Sequence, residues 1–206
     1  MSGPALASLL PEKPIDLRRA DETWHAVALP HTWGYHVLNN LAGRNGAVLH
    51  DPAARHLVWF IEPGGADGWP DAHQMAVKLY QAGDSLTVPG LTGYRDGSRW
   101  LRTPTEKLLF TDPVVLRGVI EEVAGPLADA EQLGPIEVCC YCNTTTREPV
   151  LVKSWTSYSN GAIYNTYTCP PCGSDPARVG DGGRGPGDTV MSAGPQVMMF
   201  VGGRRI

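Results

Sequence analysis

The stretch that decides the fold of the C-terminal part holds two cysteine motifs, Cys139-Cys140-Tyr141-Cys142 and Cys169-Pro170-Pro171-Cys172. The two motifs contain all 5 cysteines of the chain, and residues 143–168 separate them. Two Cys-x-x-Cys units at this spacing are typical of a structural zinc site with four thiolate ligands. We therefore predict that Cys139, Cys142, Cys169 and Cys172 bind a structural Zn²⁺ ion. A closed site of this kind leaves no coordination position for a substrate.

Cys140 is the fifth cysteine, and it leaves a choice of ligands in the first motif. Cys140 and Cys142 could ligate in place of Cys139 and Cys142. We favour Cys139 because its two-residue gap to Cys142 matches the gap in the second motif. A redox role is a weaker alternative, since a reactive Cys-x-x-Cys depends on a helix that follows it. The residues Gly173-Ser174-Asp175-Pro176 do not resemble the start of a helix.

The sequence between the motifs predicts a β-hairpin. Segments 149–155 and 162–168 are rich in β-branched and aromatic residues, and Asn160-Gly161 between them is a strong turn signal. Asn143 and Gly173 each follow a motif, where the chain often turns through a left-handed conformation that these two residues tolerate. Together, the two motifs and the hairpin resemble a zinc ribbon over residues 136–175.

The composition is that of a globular protein of moderate size. Of the 206 residues 42% are hydrophobic and only 18% are charged, and the net charge is −4. Neither half of the chain shows the basic stripe of a protein that binds DNA tightly without sequence preference. No apolar run approaches the roughly 18 residues that span a bilayer, and the N-terminus lacks a secretory signal. We expect a cytoplasmic protein without a membrane partner.

The N-terminal part predicts an α+β domain with a small mixed or antiparallel sheet and two or three helices. Strands are expected near residues 23–30, 47–50, 56–61, 76–80, 85–88 and 99–102, with helices over 34–43 and from 111 to 125. Thr111 is expected to cap the second helix. The predicted boundaries are a flexible N-terminus (1–22), the domain (23–125), a linker (126–135), the ribbon (136–175) and a largely disordered tail (176–206) with a possible strand at 196–201.

Three segments of the predicted domain carry a resemblance to a known family. The segments are His56-Leu57-Val58-Trp59-Phe60-Ile61-Glu62-Pro63-Gly64, Asp84-Ser85-Leu86-Thr87-Val88-Pro89-Gly90 and Gly97-Ser98-Arg99-Trp100-Leu101. In this order they resemble the middle of the bacterial bifunctional primase–polymerase N-terminal domain. The resemblance implies nucleotidyl transfer with an Asp-x-Asp pair that holds divalent metal. At that place this chain has Ala47-Val48-Leu49-His50-Asp51-Pro52, with a single acid. Asp51 and His56 are the only positions that carry over, so a degenerate copy without catalysis is expected.

Three functions follow as alternatives from these observations. The favoured one is a non-catalytic, zinc-binding accessory or regulatory factor that binds nucleic acid or a protein associated with nucleic acid. The second is a divalent-metal-dependent enzyme of the primase–polymerase type, with Asp51 and His56 as its candidate catalytic residues. The third is a scaffold that binds only protein.

Overall fold

The protein is described by a computed structural model over residues 3–91, 97–156 and 163–175. In chain order its elements are α1 (Pro4–Leu9), β1 (Ile15–Arg19), β2 (His25–Pro30), α2 (His31–Leu41), β3 (Val48–Asp51), β4 (His56–Ile61), β5 (Lys78–Tyr80), β6 (Ser85–Pro89), β7 (Arg99–Arg102), α3 (Pro113–Ala124), α4 (Ala130–Leu133), β8 (Glu137–Val138), β9 (Thr145–Thr146), β10 (Val150–Thr156), β11 (Ile163–Thr168) and α5 (Pro170–Gly173). Helices combine with antiparallel sheets, which confirms the predicted α+β class.

A five-stranded antiparallel sheet forms the centre of the N-terminal part, in the order β5-β2-β4-β3-β7. Strand β4 lies in the middle, which explains its nearly continuous apolar sequence. Trp59 and Phe60 alternate between the two faces of the sheet, and both are completely buried. A tight connection joins β3 to β4 and places Asp51 opposite His56.

Both faces of this sheet are covered. Helices α2 and α3 pack on one face, where Trp33, Leu41 and Ile120 join Trp59 in one core cluster. Helix α1 and the two-stranded β1–β6 sheet cover the other face, where Leu9 joins Phe60 in a second cluster. The sheet is therefore the middle layer of three.

The prediction of a flexible N-terminus over residues 1–22 is wrong for the part that is described. Helix α1 buries Leu6 and Leu9, and β1 pairs antiparallel with β6, with Ile15 opposite Pro89. The physical reason is that the second face of the sheet carries large apolar side chains, among them Trp24. Those side chains need a cover, and the N-terminal residues provide it.

The prediction of a linker over residues 126–135 is also wrong. This segment forms a 3₁₀ turn (Leu127–Asp129) and the short helix α4, and it buries Leu127 and Ala130 in the same cluster as the helices. Its content of Pro, Ala and acidic residues suggested a spacer, but two apolar side chains are enough to anchor so short a segment.

The cap of α3 is Asp112 and not Thr111, as the sequence had suggested. The Asp112 carboxylate accepts hydrogen bonds from the amides of Val114 and Val115. Thr111 is buried and instead accepts a bond of 2.9 Å from the Gly46 amide. A side chain at position 46 would lie 2.4 Å from the backbone carbonyl carbon of Phe110, so only glycine fits this close approach.

Several other predictions concern residues outside the described part. They are the Asn160-Gly161 turn, the disordered tail over 176–206 and its possible strand at 196–201. Among the described helices, none is long and apolar enough to cross a membrane.

Candidate metal centre

The four cysteines predicted as ligands lie together. Their sulfur atoms are all within 4.8 Å of one another, and the Cys142 and Cys169 sulfurs are 3.7 Å apart. Tetrahedral zinc with Zn–S bonds of about 2.3 Å separates its sulfur ligands by about 3.8 Å. A disulfide would need about 2.05 Å, and all five cysteines are free thiols. The cluster is thus shaped to hold a metal ion.

The first motif turns as the sequence predicted. Asn143 adopts a left-handed conformation with φ of 57°, and its amide donates to the Cys139 carbonyl at 2.9 Å. The Cys139 amide in turn donates to the Thr144 carbonyl at 2.9 Å. The backbone therefore turns around the sulfur atoms of Cys139 and Cys142. The residue with the left-handed conformation is an asparagine, which tolerates that conformation better than a bulky side chain would.

The second motif turns differently from the prediction for Gly173. The residues Pro170–Gly173 form a single helical turn, and the Gly173 amide donates to the Cys169 carbonyl at 2.9 Å. Gly173 does not have a left-handed conformation. Its Cβ would instead lie 3.0 Å from the Thr168 side chain and 3.6 Å from Val150. Glycine is needed here for space, because the turn packs directly on the hairpin.

Hydrogen bonds to the sulfur atoms lower the pKa of two cysteines in the cluster. Burial alone would raise the pKa of Cys139, but bonds from the Thr168 hydroxyl and from nearby backbone amides lower it to about 5. The Thr144 hydroxyl and amide likewise lower the pKa of Cys142. Burial and the neighbouring sulfurs raise the pKa of Cys172 to about 12. The raised pKa of Cys172 thus opposes ionisation of its thiol, and a bound cation would favour the thiolate form.

Cys140 lies outside the cluster, which contains Cys139 instead. Burial, followed by the charge of Cys139, raises the pKa of the Cys140 thiol. Its backbone amide donates to the Tyr167 carbonyl at 2.9 Å and so ties the first motif to β11. Of the two ligand sets that the sequence allowed, the geometry favours the one with Cys139.

The hairpin β10–β11 extends from the cluster with most of its apolar side chains exposed. Every residue of β10 is exposed, and the large apolar side chains exposed on the two strands are Val150, Leu151, Val152, Trp155 and Ile163. Trp155 and Tyr164 stack with ring centroids 4.5 Å apart. The Cys139 sulfur lies 3.3 Å from the hydroxyl of Thr168, which is completely buried, so the base of the hairpin and the cluster form one unit.

Arg147 fastens this unit to the rest of the protein. Its guanidinium donates to the carbonyls of Leu133 and Gly134 at 2.7 and 2.8 Å and to that of Ala124. These carbonyls lie at the C-terminal ends of α3 and α4, where helices leave acceptors without a partner and favour a cation. Ile136 also enters the core cluster beneath the helices. The segment that carries the cysteine cluster is therefore packed on the α+β part.

Replacing Arg147 with glutamine is expected to lower the free energy of unfolding by about 2 kcal/mol, because charge-assisted bonds to three carbonyls are lost. Urea denaturation measures the change. Arg117→Gln is the matched control, since among the described residues Arg117 pairs with Glu121 alone, one turn away on a partly exposed face, where such a pair contributes about 0.5 kcal/mol. Equal effects of the two substitutions would contradict the fastening role.

The candidate catalytic residues Asp51 and His56 do not belong to a group of side chains arranged to bind a metal in the described residues. The Asp51 carboxylate accepts from the amides of Ala53 and Ala54 at 3.0 and 3.1 Å, which closes the β3–β4 connection. Burial lowers the pKa of His56, although Asp51 opposes the shift. Within the described residues, the four cysteines form the one group of three or more His, Cys, Asp or Glu side chains arranged to hold a metal.

No sequence pattern indicated the groove that lies between the α+β part and the segment that carries the cysteine cluster. Its volume is about 350 Å³, and it is lined by the first turn of α2, the β3–β4 connection, the 3₁₀ turn His73–Met75, β8 and β11. The polar side chains that line it include His31, Thr32, Arg55, His56, Glu137 and Asn165. These residues come from four separate segments of the chain, so no local sequence motif predicts that they lie together.

Comparison with known proteins gives no match: no family model matches the chain, and neither a curated protein nor a solved structure is significantly similar to it. The resemblance to the primase–polymerase domain therefore stays a prediction. The cysteine cluster and the groove have to be interpreted from their own chemistry.

Proposed function

We propose that the chain is a non-catalytic, zinc-binding interaction protein. Cys139, Cys142, Cys169 and Cys172 would hold one structural Zn²⁺ ion, and the zinc would hold the β10–β11 hairpin in place. The observation that carries this proposal is the approach of four sulfur atoms to within 4.8 Å of one another. Four thiolates without oxygen ligands suit Zn²⁺ and disfavour the hard cations Mg²⁺ and Ca²⁺. A reducing cytoplasm would keep these thiols available.

The zinc serves structure and not catalysis in this proposal. All four tetrahedral positions come from the protein, so no water or substrate can bind the ion. A small hairpin of two strands has little stability by itself, and a structural zinc ion contributes on the order of 10 kcal/mol or more to folding. The ion would thus hold up a hairpin whose exposed apolar side chains are free to contact a partner.

The partner in this proposal is a nucleic acid or a protein associated with nucleic acid. The Trp155–Tyr164 stack offers an aromatic surface, which can bind bases, and the aliphatic side chains of β10 offer a surface for protein. The overall negative charge argues against tight binding to duplex DNA. An accessory or regulatory role therefore fits better than a role as a DNA-coating protein.

Native mass spectrometry of protein purified without chelator tests the metal. We expect one zinc ion per chain, and a chain that carries none would contradict the proposal. Fluorescence anisotropy with labelled single-stranded and duplex oligonucleotides then tests the partner. Binding that Trp155→Ala weakens supports nucleic acid, whereas nuclease-resistant capture of a protein that Leu151→Ser abolishes supports a protein partner. If neither hairpin variant changes either interaction, the hairpin is not the interaction surface.

A further inference from the structure

Two histidines from different elements lie close together where α2 begins. The imidazoles of His31, in the first turn of α2, and of His50, on β3, have ring centroids 6.2 Å apart. The ring of Tyr35, one turn further along α2, has its centroid 6.4 Å from that of His50. All three side chains are half-buried. The two imidazoles are therefore part of the contact between the helix and the sheet.

Two arginines face this histidine pair. Arg55, in the β3–β4 connection, acts on His31, and its carbonyl accepts a hydrogen bond of 2.8 Å from the His31 amide. Arg99, on β7, lies opposite His50 in the register of the sheet. Burial raises the pKa of Tyr35, with Arg99 opposing, so the phenol stays neutral and supplies no negative charge. Protonation of the pair would thus add charge to a place that is already positive.

The other titratable groups at this corner give little compensation. Asp51, next to His50 on β3, favours protonation of His50 and of His56, but its carboxylate already accepts from two backbone amides of the β3–β4 connection. Lys78, on β5, faces His56 and opposes its protonation. Glu137, on β8, faces the arginine of the connection, and burial raises its pKa, so it loses its charge early as the pH falls.

The surroundings favour neutral imidazoles in the folded protein. Burial, followed by the charges of Arg55 and of the two other histidines, lowers the pKa of His31. Burial and then Arg99 lower the pKa of His50, although the neighbouring carboxylate opposes the shift. The Nδ1 atom of His50 is also buried without a hydrogen-bond partner among the described residues. An imidazolium donates from both nitrogens, so a proton there would have no acceptor.

The sign of the effect follows from these lowered pKa values. Above the ordinary value of 6.5, both imidazoles are neutral whether the contact is closed or open. Below that value, an imidazole released into water takes up a proton more readily than one held in the contact. Acid therefore favours the open form, and the stability of the contact is lost as the pH falls from 6.5 through the lowered pKa values.

We propose that His31 and His50 form an acid-sensitive contact that holds the first turn of α2 on the sheet at neutral pH and opens when the imidazoles take up protons. Opening separates two like charges from each other and lets the buried nitrogen of His50 donate to water. Even with the dielectric constant of water, two unit charges 6.2 Å apart change an equilibrium constant by about threefold. Both histidines lie outside the two core clusters, so the core of the sheet stays folded.

An NMR titration of the histidine ring signals tests the repulsion. In the metal-loaded wild type, His31 is expected to titrate below pH 6.5. His50→Gln removes the neighbouring charge, so the proton affinity of His31 should rise by about threefold or more. His36→Gln is the matched control, because His36 is half-buried on the same helix and burial alone lowers its pKa. An unchanged His31 titration in His50→Gln, or a wild-type titration at or above pH 6.5, would overturn the proposal.

Hydrogen exchange of the His31 amide tests the opening. Corrected for the intrinsic exchange rate, its protection factor is expected to fall by about tenfold between pH 7.5 and pH 5, whereas the amides of β4 keep theirs. His31→Gln retains the backbone bond to Arg55 but loses the charge, so protection at this position should fall less. Any effect of acid on the cysteine cluster is common to both chains. Equal losses in the two chains, constant protection in the wild type, or a parallel loss throughout β4 would overturn the proposal.

Discussion

Cys169→Ser is expected to lower the metal affinity by more than about 100-fold and to unfold the hairpin of Val150–Thr156 and Ile163–Thr168. A serine hydroxyl is a poor ligand at neutral pH, and the three remaining sulfurs cannot complete a tetrahedral site. Zinc content measured by mass spectrometry reports the first effect. The loss of dispersed β-strand amide signals from both strands reports the second.

The control for this experiment is Cys140→Ser, which removes a cysteine from the same motif but from outside the cluster. It should retain the metal and the hairpin signals, because Cys140 contacts β11 through its backbone amide. Loss of metal in Cys140→Ser together with retention in Cys139→Ser would mean that the first motif ligates in the alternative way. The amide signals of the five-stranded sheet should persist in Cys169→Ser, since its core contains none of the cysteines.

Trp59→Ala is expected to lower the free energy of unfolding by about 4 kcal/mol, the second largest effect of any substitution considered. Trp59 is completely buried in the central strand, and its indole Nε1 donates to the Asn45 side chain at 2.9 Å. Asn45 in turn donates to the carbonyls of Leu38 and Ala42 at 3.1 and 2.7 Å, at the C-terminal end of α2. The substitution removes a large apolar volume and orphans a buried amide oxygen.

Two further variants separate these contributions in denaturant unfolding. Trp59→Phe keeps most of the ring volume but leaves the Asn45 oxygen without its donor, so it should cost about 2 kcal/mol. Trp155→Ala removes a tryptophan that is 37% exposed and stacked on Tyr164, and it should cost about 1 kcal/mol. A cost for Trp59→Ala no greater than for Trp155→Ala would show that the sheet core is not the main source of stability.

The elements that the sequence predicts well are those whose signal is local. Strand β4 is a continuous apolar run, α3 has its apolar residues at helical spacing, and the two Cys-x-x-Cys motifs bring four sulfur atoms together. Asn143 is a further example, since its left-handed conformation follows from the side chain itself. In each case the residues that allow the prediction are the same residues that form the predicted element.

The features that escape the sequence depend on partners far along the chain. Strand β1 forms because β6, some seventy residues later, offers an edge, and its own sequence gives little sign of this. Arg147 binds backbone carbonyls. Every residue has such a carbonyl, so the sequence contains no pattern that would predict these contacts. Gly173 is required by the space beside Thr168 and Val150, not by a turn, and only the packed structure reveals that need.

The irregularity within strand β10 has a consequence for how the protein behaves at high concentration. The pairing of β10 with β11 shifts between Leu151 and Lys153, as in a β-bulge. In the described residues β10 has no second neighbouring strand, so its outer edge is open. A straight, apolar open edge is a template for fibril-like stacking of one copy on the next, whereas a bulge twists the strand and interrupts the ladder. The bulge thus lets the hairpin keep its apolar side chains in water while it hinders aggregation along the edge.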